Sequence, residues 1–454
     1  MEKDGAIATL LDIYGGPVPR YTSYPPATRF KPLEKEGMFR DRLRNLPPGD
    51  PVSLYFHIPF CRSLCSYCGC MTRVVHDDGP IQDYARQVEK EINLVSTLLP
   101  DRLAVSHIHF GGGSPNLLLR DDLFLLMNAV KTGFAIRPDA EIAMEVDPRQ
   151  MNAEKAALYA EAGVNRISLG VQDFQPETQR AINRIQPLAQ IEDCVRWLRD
   201  AGIGGINFDL MYGLPYQTVE TVADNIEKAA GLAPDRIALF GYAHVPWMKP
   251  HQKILEKYAL PDSLERYAQA EKAREMMLRS GYRDIGMDHF ARQGDTIEAA
   301  RESGALKRNF QGYTNDNAET LLGFGVSAIS RFPDAYLQNT SHAGQYRERL
   351  EAGKAPVEKS ILLSREDRLR AEMIETLMCY FEADCDTLCC KHGFPGDFLD
   401  ADLNGLAALE DDGLVRRRGR FVSVTALGKP FVRRVCACFD AYYQEKEDRH
   451  ARAV

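Results

Sequence analysis

Residues 56–70 read FHIPFCRSLCSYCGC, which places four of the chain's eleven cysteines within ten positions. The aromatic and β-branched run before the first cysteine has the character of a strand, closed by Pro59. Cys61, Cys65 and Cys68 therefore lie on a loop directly after a strand, spaced C-x3-C-x2-C. Three thiolates so close together suit three irons of a cubic four-iron cluster and leave the fourth iron without a protein ligand. A structural zinc site usually pairs two C-x2-C units, and Cys389 with Cys390 or Cys436 with Cys438 lack that spacing. Cys70 falls at the wrong distance to complete a simple ligand set, so it reads as an active-site residue; its plainer alternative is a buried apolar thiol.

Outward from this loop the chain alternates strand and helix patterns. The strand candidates are SLYFHIP, VSHIHFGGG, EIAMEVDP, RISLGVQD, GINFDLMYGLP and RIALFGYAHVP, separated by stretches of helical period such as PIQDYARQVEKEINLVSTLL. Several strands end in polar or glycine-rich tails: Gly111 to Ser114, Glu145 and Asp147, Gln172 and Asp173, Asp209, and Ala243 with His244. Side chains at the C-terminal ends of neighbouring parallel strands converge on one mouth, which predicts an α/β fold of parallel barrel type; an open doubly wound sheet uses its strand ends similarly. Before this region lies an arm, YGGPVPRYTSYPP, whose prolines oppose helix and whose tyrosines are unusual in a disordered tail. The predicted division is an arm over residues 1–35, a catalytic domain over 36–364 and a small, mostly helical domain of winged-helix character over 365–454.

The length of 454 residues exceeds one ordinary hydrophobic core, and 44% hydrophobic with 26% charged residues is a globular composition. No basic, apolar leader and no long apolar run is visible, so the reading is cytoplasmic, with no membrane span. In a reducing compartment an odd number of cysteines argues for metal or redox roles over disulfides. The net charge of −8 argues against nucleic acid as a partner, and the basic run Arg416–Arg420 reads as a solvated hairpin.

The cysteine loop resembles the signature of the radical S-adenosylmethionine superfamily. That resemblance implies that the open iron is chelated by the amino and carboxylate groups of S-adenosylmethionine, whose reductive cleavage yields a deoxyadenosyl radical. It also places Tyr67 near the cofactor's adenine and the glycine run of HFGGGSP against its methionine amino group, where residues without Cβ allow close backbone approach. Glu145 and Asp147, two apart on one strand, share a face; an acidic pair is commonly a solvated strand end or helix-cap neighbour, and only a position opposite the cysteine loop makes Glu145 a cofactor contact.

A longer series, PRYTSYP, LYFHIPFC, EVDPR, GVQDF, NRIQ, NFDLMYGLP, FGYAHVPWMK, GMDHFAR, NFQGYT and LLGFGVSAIS, is similar in order to the oxygen-independent coproporphyrinogen III oxidase family over nearly the whole chain. The resemblance implies an incomplete parallel β/α barrel and conversion of two propionates of coproporphyrinogen III to vinyl groups, giving protoporphyrinogen IX for haem synthesis. It implies a [4Fe-4S] cluster and two S-adenosylmethionine molecules. Tyr55, Gly111 or Gly112, Glu145 and Ile329 would contact the cluster-bound molecule; Tyr67, Gly113, Ser114, Gln172, Arg184, Asp209 and Ala243 would contact the second. Phe310 and Gln311 resemble family residues near the cofactors, and Tyr55, Cys70 and Glu145 are the candidates for catalysis. The family often carries phenylalanine where this chain has Tyr67 and threonine where it has Ser114.

A substrate with four carboxylates calls for guanidinium partners. Arg20, Arg184, Arg292 and Arg308 are candidates, with Tyr21 on the arm beside Arg20; each arginine alone is more often a surface ion-pair residue. His57, His244 and His289 are candidate general acids, against the commoner structural role. The implied partners are the tetrapyrrole, an electron donor and an electron acceptor, with a monomer as the default. Two other readings remain: a haem-binding chaperone that keeps the cluster, and a radical methyltransferase acting on haem. Relatives that act as haem chaperones usually carry phenylalanine at the position of Cys70 and lack the PRYTSYP arm, whereas this chain has both the cysteine and the arm.

Overall fold

In a computed structural model of the protein, residues 2–444 are described. All six strands read from the sequence form, and a seventh joins them from the C-terminal side. They are β1 (Val52–Ile58), β2 (Ala104–Gly112), β3 (Ala135–Val146), β4 (Arg166–Gln172), β5 (Gly205–Tyr212), β6 (Arg236–Gly241) and β7 (Thr320–Phe324). Their order is β7-β1-β2-β3-β4-β5-β6, every pairing parallel. Helices such as Gly79–Ser96, Ala153–Ala162 and Val219–Gly231 provide the crossovers. Antiparallel strands extend the sheet at both edges: His289–Arg292 and Tyr282–Asp284 beyond β6, and four strands ending in Lys31–Pro32 beyond β7. Among the described residues those outermost strands are not paired with each other.

Alternation along β1 explains both the core and the site. Phe56 is in register with Phe110 and Phe324, and the three rings stack toward the helices at centroid separations of 4.8 and 5.1 Å. Such pairs add roughly 0.5–1.5 kcal/mol each beyond their burial. Tyr55 and His57 point to the other face, which is also buried, as expected for a parallel sheet covered on both sides.

A buried carboxylate ties the helix Gly79–Ser96 to the end of β7. Glu91 accepts from Tyr346 Oη at 2.5 Å, Asn339 Nδ2 at 2.7 Å and the Gly325 N–H at 2.8 Å. Burial pushes its pKa up from 4.5 to about 7 against these donors. Because the folded-state value lies above the unfolded one, its contribution is complete below about pH 4.5 and is lost as pH rises through about 7, a change of about 3 kcal/mol. Glu91→Ala should strand three donors, costing about 3 kcal/mol or more, and should abolish this slope; denaturant unfolding across that pH window measures both.

The proline-bearing arm is non-helical over residues 15–26, as its prolines require, and a helix that the sequence reading did not assign precedes it. Glu2–Tyr14 is a helix, and Ile7, Leu10, Leu11, Tyr14, Val18, Tyr21 and Tyr24 share one hydrophobic core with residues of the C-terminal elements. Tyr14 Oη donates to Asp412 at 2.5 Å, Tyr21 Oη to Asp440 at 3.2 Å, and Tyr24 Oη accepts from the Ala441 N–H at 3.1 Å. The tyrosines that looked out of place in a tail are thus packing residues. The C-terminal elements begin with the helix Arg365–Tyr380, capped by Ser364 and Asp367 in a reciprocal box, and include a three-stranded sheet of Glu382–Asp384, Val415–Arg418 and Phe421–Val424. In its basic hairpin, Arg417 pairs with Glu410 and Arg420 with Asp400.

Candidate functional site

Cys61 closes a two-residue strand immediately after β1, and the loop to Cys70 is fixed from three directions. From the glycine run, Gly113 N–H donates to Ile58 O at 2.8 Å, Ser114 N–H to Phe60 O at 2.7 Å, and Ser114 Oγ to Cys61 Sγ at 3.5 Å. A Cβ on Gly113 would lie 2.6 Å from Phe60 O, and one on Gly112, at φ +113°, would lie 2.6 Å from the His57 ring. Glycine is required here because the two strand ends close on each other.

From β3, Asp147 caps the turn Pro148–Gln150 and pairs with Arg149 at 2.7 Å and Arg184 at 3.4 Å. These guanidinium groups reach Cys65 Sγ, Arg184 at 3.5 Å and Arg149 at 3.7 Å. Burial alone would raise the Asp147 pKa, but Arg184 and Arg149 hold it below the ordinary carboxylate range. Arg184 also donates to Gly170 O at 2.7 Å, linking β4 to the cysteine loop.

The third anchor is the segment after β6. Lys249 Nζ donates to Cys70 O at 3.0 Å, Gln252 Nε2 to Tyr67 O at 2.8 Å, and His251 Nε2 lies 2.8 Å from Cys68 O. Gln252 also accepts from Val245 N–H at 2.7 Å. Gln252→Leu should lower stability by about 1–3 kcal/mol by leaving buried groups unpaired. It should also reduce iron and sulfide bound per chain after reconstitution, which elemental analysis reads.

The thiols fit an iron–sulfur cluster. The Cys70 thiol hydrogen-bonds to Cys68, lowering the Cys68 pKa to about 6, with His251 and Lys249 adding positive charge; burial raises Cys61 to about 11, partly offset by Ser114. Among the described residues no three His, Cys, Asp or Glu side chains close on a single ion position, whereas each thiolate of a cubic cluster takes its own iron.

Across from the loop, Glu145 accepts from Gly112 N–H at 3.0 Å and lies 3.2 Å from His109 Nε2. Burial would raise it, but His109 and the Gly112 amide hold its pKa low, so it is an anion beside the glycine run. A Cβ on Gly111 would sit 2.7 Å from Glu145 Oε1 and 3.1 Å from the Tyr55 ring. His57 Nδ1 is 3.0 Å from Tyr55 Oη, and its Nε2 is 3.2 Å from Met71 O. Because a carbonyl only accepts, the ring carries its proton on Nε2 and accepts from Tyr55 at Nδ1. Burial lowers the His57 pKa, which keeps this neutral form. Asp209, bonded by Ser168 Oγ at 2.9 Å, is raised to about 7 by burial and by Glu145. Gln172 ends β4 in the left-handed region at φ +66°.

Beside these groups opens a chamber of about 810 Å³ between the ends of β5 and β6, the arm and the C-terminal elements. Ala243, His244, Phe310, Gln311, Arg20 and Arg308 line it, together with Arg266 and Arg433. Arg20 donates to Gly241 O at 3.1 Å. Arg308 stacks over Tyr313 at 4.6 Å and lies 3.5 Å from Asp288. Burial, with Arg20 close by, lowers the Arg433 pKa to about 10. Phe310 stands edge-on to Tyr55 at 4.6 Å, and Ile329 lies beyond it on the wall of a neighbouring chamber. Tyr67 packs with Ile182, Leu214, Tyr242 and Leu255 beneath the loop.

Two substrate candidates are placed elsewhere. Arg292 lies at the opposite end of the sheet, its N–H bonded to Asp235 O at 2.9 Å just before β6 begins, because its strand runs antiparallel to β6. Tyr21 directs its hydroxyl to Asp440. His289 is held by Asp288 at 2.7 Å and Tyr313, a structural position. His109, Arg149, Lys249, His251, Gln252, Arg266 and Arg433 were not singled out from the sequence; lone polar residues in strands and loops carry no local mark of the distant groups they meet.

Comparison with known proteins agrees with this geometry. The Radical SAM superfamily profile matches residues 55–229. Oxygen-independent coproporphyrinogen III oxidase of Bradyrhizobium diazoefficiens is 45% identical over 437 residues, 96% of this chain and 97% of that protein. The enzyme of that name from Synechocystis is 40% identical, covering 97% and 96% of the two chains. The structure of coproporphyrinogen III oxidase from Escherichia coli, described as a radical SAM enzyme, superposes with a TM-score of 0.89 at 38% identity, covering 93% of this chain and 98% of that one. With likeness of this extent running through the cysteine loop and both flanking regions, the chain belongs to the oxygen-independent coproporphyrinogen III oxidase family of the radical SAM superfamily.

Proposed function

We propose that the protein oxidatively decarboxylates two propionates of coproporphyrinogen III to vinyl groups without oxygen. The observation that carries this reading is the chamber walled by Arg20, Arg266, Arg308 and Arg433, which meets the Glu145 and Tyr55 side of the site through Phe310. Guanidinium groups at several points of one chamber suit a substrate bearing several carboxylates, and burial strengthens each pairing.

Cys61, Cys65 and Cys68 would hold a [4Fe-4S] cluster, and Glu145, Gly111, Gly112, Tyr55 and Ile329 would position S-adenosylmethionine. When bound, this pair supplies a carbon radical able to abstract hydrogen. The protein's part is placement. Glu145, kept anionic, orients an amino group beside the glycine run, and Tyr55, its proton committed to His57, keeps its oxygen lone pairs available. Asp209, Gln172, Arg184 and Ala243 would serve a second S-adenosylmethionine. The arm, with Arg20 and Thr22 on the chamber wall, would cover the mouth and exclude water. We assign a cytoplasmic monomer dependent on an external electron donor and acceptor.

The test is anaerobic turnover of reconstituted protein with S-adenosylmethionine, reductant, acceptor and coproporphyrinogen III, followed by mass spectrometry. The expected product has lost two carbon dioxide units with formation of deoxyadenosine. Stoichiometric haem binding without turnover, or a methylated tetrapyrrole, would overturn the assignment.

A further inference from the structure

A second chamber, of about 710 Å³, adjoins the first across Thr22, Arg308 and Phe310. Its walls are aromatic: Phe30 and Tyr336 stack at 5.7 Å with an interplanar angle of 19°, and Phe310 faces both chambers at 44% exposure. Five cations, Lys307, Arg308, Arg331, Arg368 and Lys391, share its wall with four carboxylates, Asp316, Glu319, Glu372 and Glu375, and Asp316 faces His107 while Arg308 pairs with Asp288. Lys307 pairs with Glu375 and Lys391 with Glu372, while Arg331 donates to the backbone oxygens of Ala318 and Glu319 and Arg368 stands exposed on the wall.

We propose that this chamber binds the electron acceptor, a planar anionic flavin-type molecule. The inference rests on the decarboxylation reading. Once hydrogen is removed from a propionate β-carbon, breaking the bond to the carboxylate releases carbon dioxide. One electron of that bond joins the unpaired electron in the new C=C, and the other must leave. Two such steps deliver two electrons, which with two protons reduce one flavin completely. Stacked aromatic walls suit an isoalloxazine ring, and Arg331 and Arg368 suit its phosphate. Phe310, in edge contact with Tyr55 at 4.6 Å, places the ring site one aromatic layer from the reacting centre.

The probe is flavin mononucleotide, titrated anaerobically into the reconstituted full-length protein and followed by quenching of flavin fluorescence. Saturable quenching is expected and should persist with coproporphyrinogen III and S-adenosylmethionine both present, Arg308 and Ile329 being wall residues shared with their sites. Arg368→Glu, an exposed change that leaves folding intact, should weaken binding tenfold or more while preserving deoxyadenosine formation. Arg266→Gln, in the other chamber, should leave flavin affinity unchanged. Absence of saturable quenching, displacement by either substrate, or an unaltered affinity in Arg368→Glu would overturn the proposal. Since binding is read without turnover, a failed decarboxylation assay and a failed flavin site are separate results.

Discussion

Cys65→Ser protein, reconstituted with iron and sulfide, should lack the broad visible absorbance of a four-iron cluster and form deoxyadenosine only at background. Cys65 is the thiol toward which Arg149 and Arg184 both direct N–H groups. A serine hydroxyl is a far weaker iron ligand than a thiolate, and with two remaining ligands the cube loses its hold. The fold should persist, because Cys65 sits on a loop whose attachments run through the carbonyls of Tyr67, Cys68 and Cys70 and the amide of Ser114. Unchanged circular dichroism with lost absorbance separates cluster loss from unfolding. Cys70→Ala, by contrast, should retain the cluster.

Glu145→Gln should raise the dissociation constant for S-adenosylmethionine roughly tenfold to a hundredfold, the size of one charge-assisted hydrogen bond of about 1.5–3 kcal/mol. The substitution keeps the shape but removes the charge that His109 and the Gly112 amide stabilise. Because those donors hold the Glu145 pKa below its usual value, it stays ionised in the folded protein until pH falls below the ordinary carboxylate range. Wild-type affinity should therefore be flat with pH above about 5 as far as this group decides it. Equilibrium binding at several pH values checks both statements.

The parts of the fold written in local pattern were legible before the structure. Strands β1 to β6 announced themselves as apolar runs with polar tails, and the three-cysteine spacing needed no partner from elsewhere. The helix starting at Arg365 was readable from the apolar period after Ser364, whose cap confirms that start. What depended on distant packing was not legible. The helix Glu2–Tyr14 makes sense only against the C-terminal core it completes. The hold that Lys249, His251 and Gln252 exert on the cysteine loop spans more than 170 residues of sequence. Arg292 misled because its motif lies on an antiparallel strand: Met287 and Asp288 reach the chamber, while four residues later the chain has run to the far end of the sheet. A parallel-barrel pattern alone supplies no warning of that reversal.

Held by Cys61, Cys65 and Cys68, a four-iron cluster would keep one iron open to S-adenosylmethionine. Electron paramagnetic resonance of the reduced, reconstituted protein, with and without S-adenosylmethionine labelled with nitrogen-15 at its amino group, tests it directly. The cluster signal should change on addition and show a hyperfine coupling from the labelled nitrogen. A signal indifferent to S-adenosylmethionine, with no coupling to the label, would contradict it.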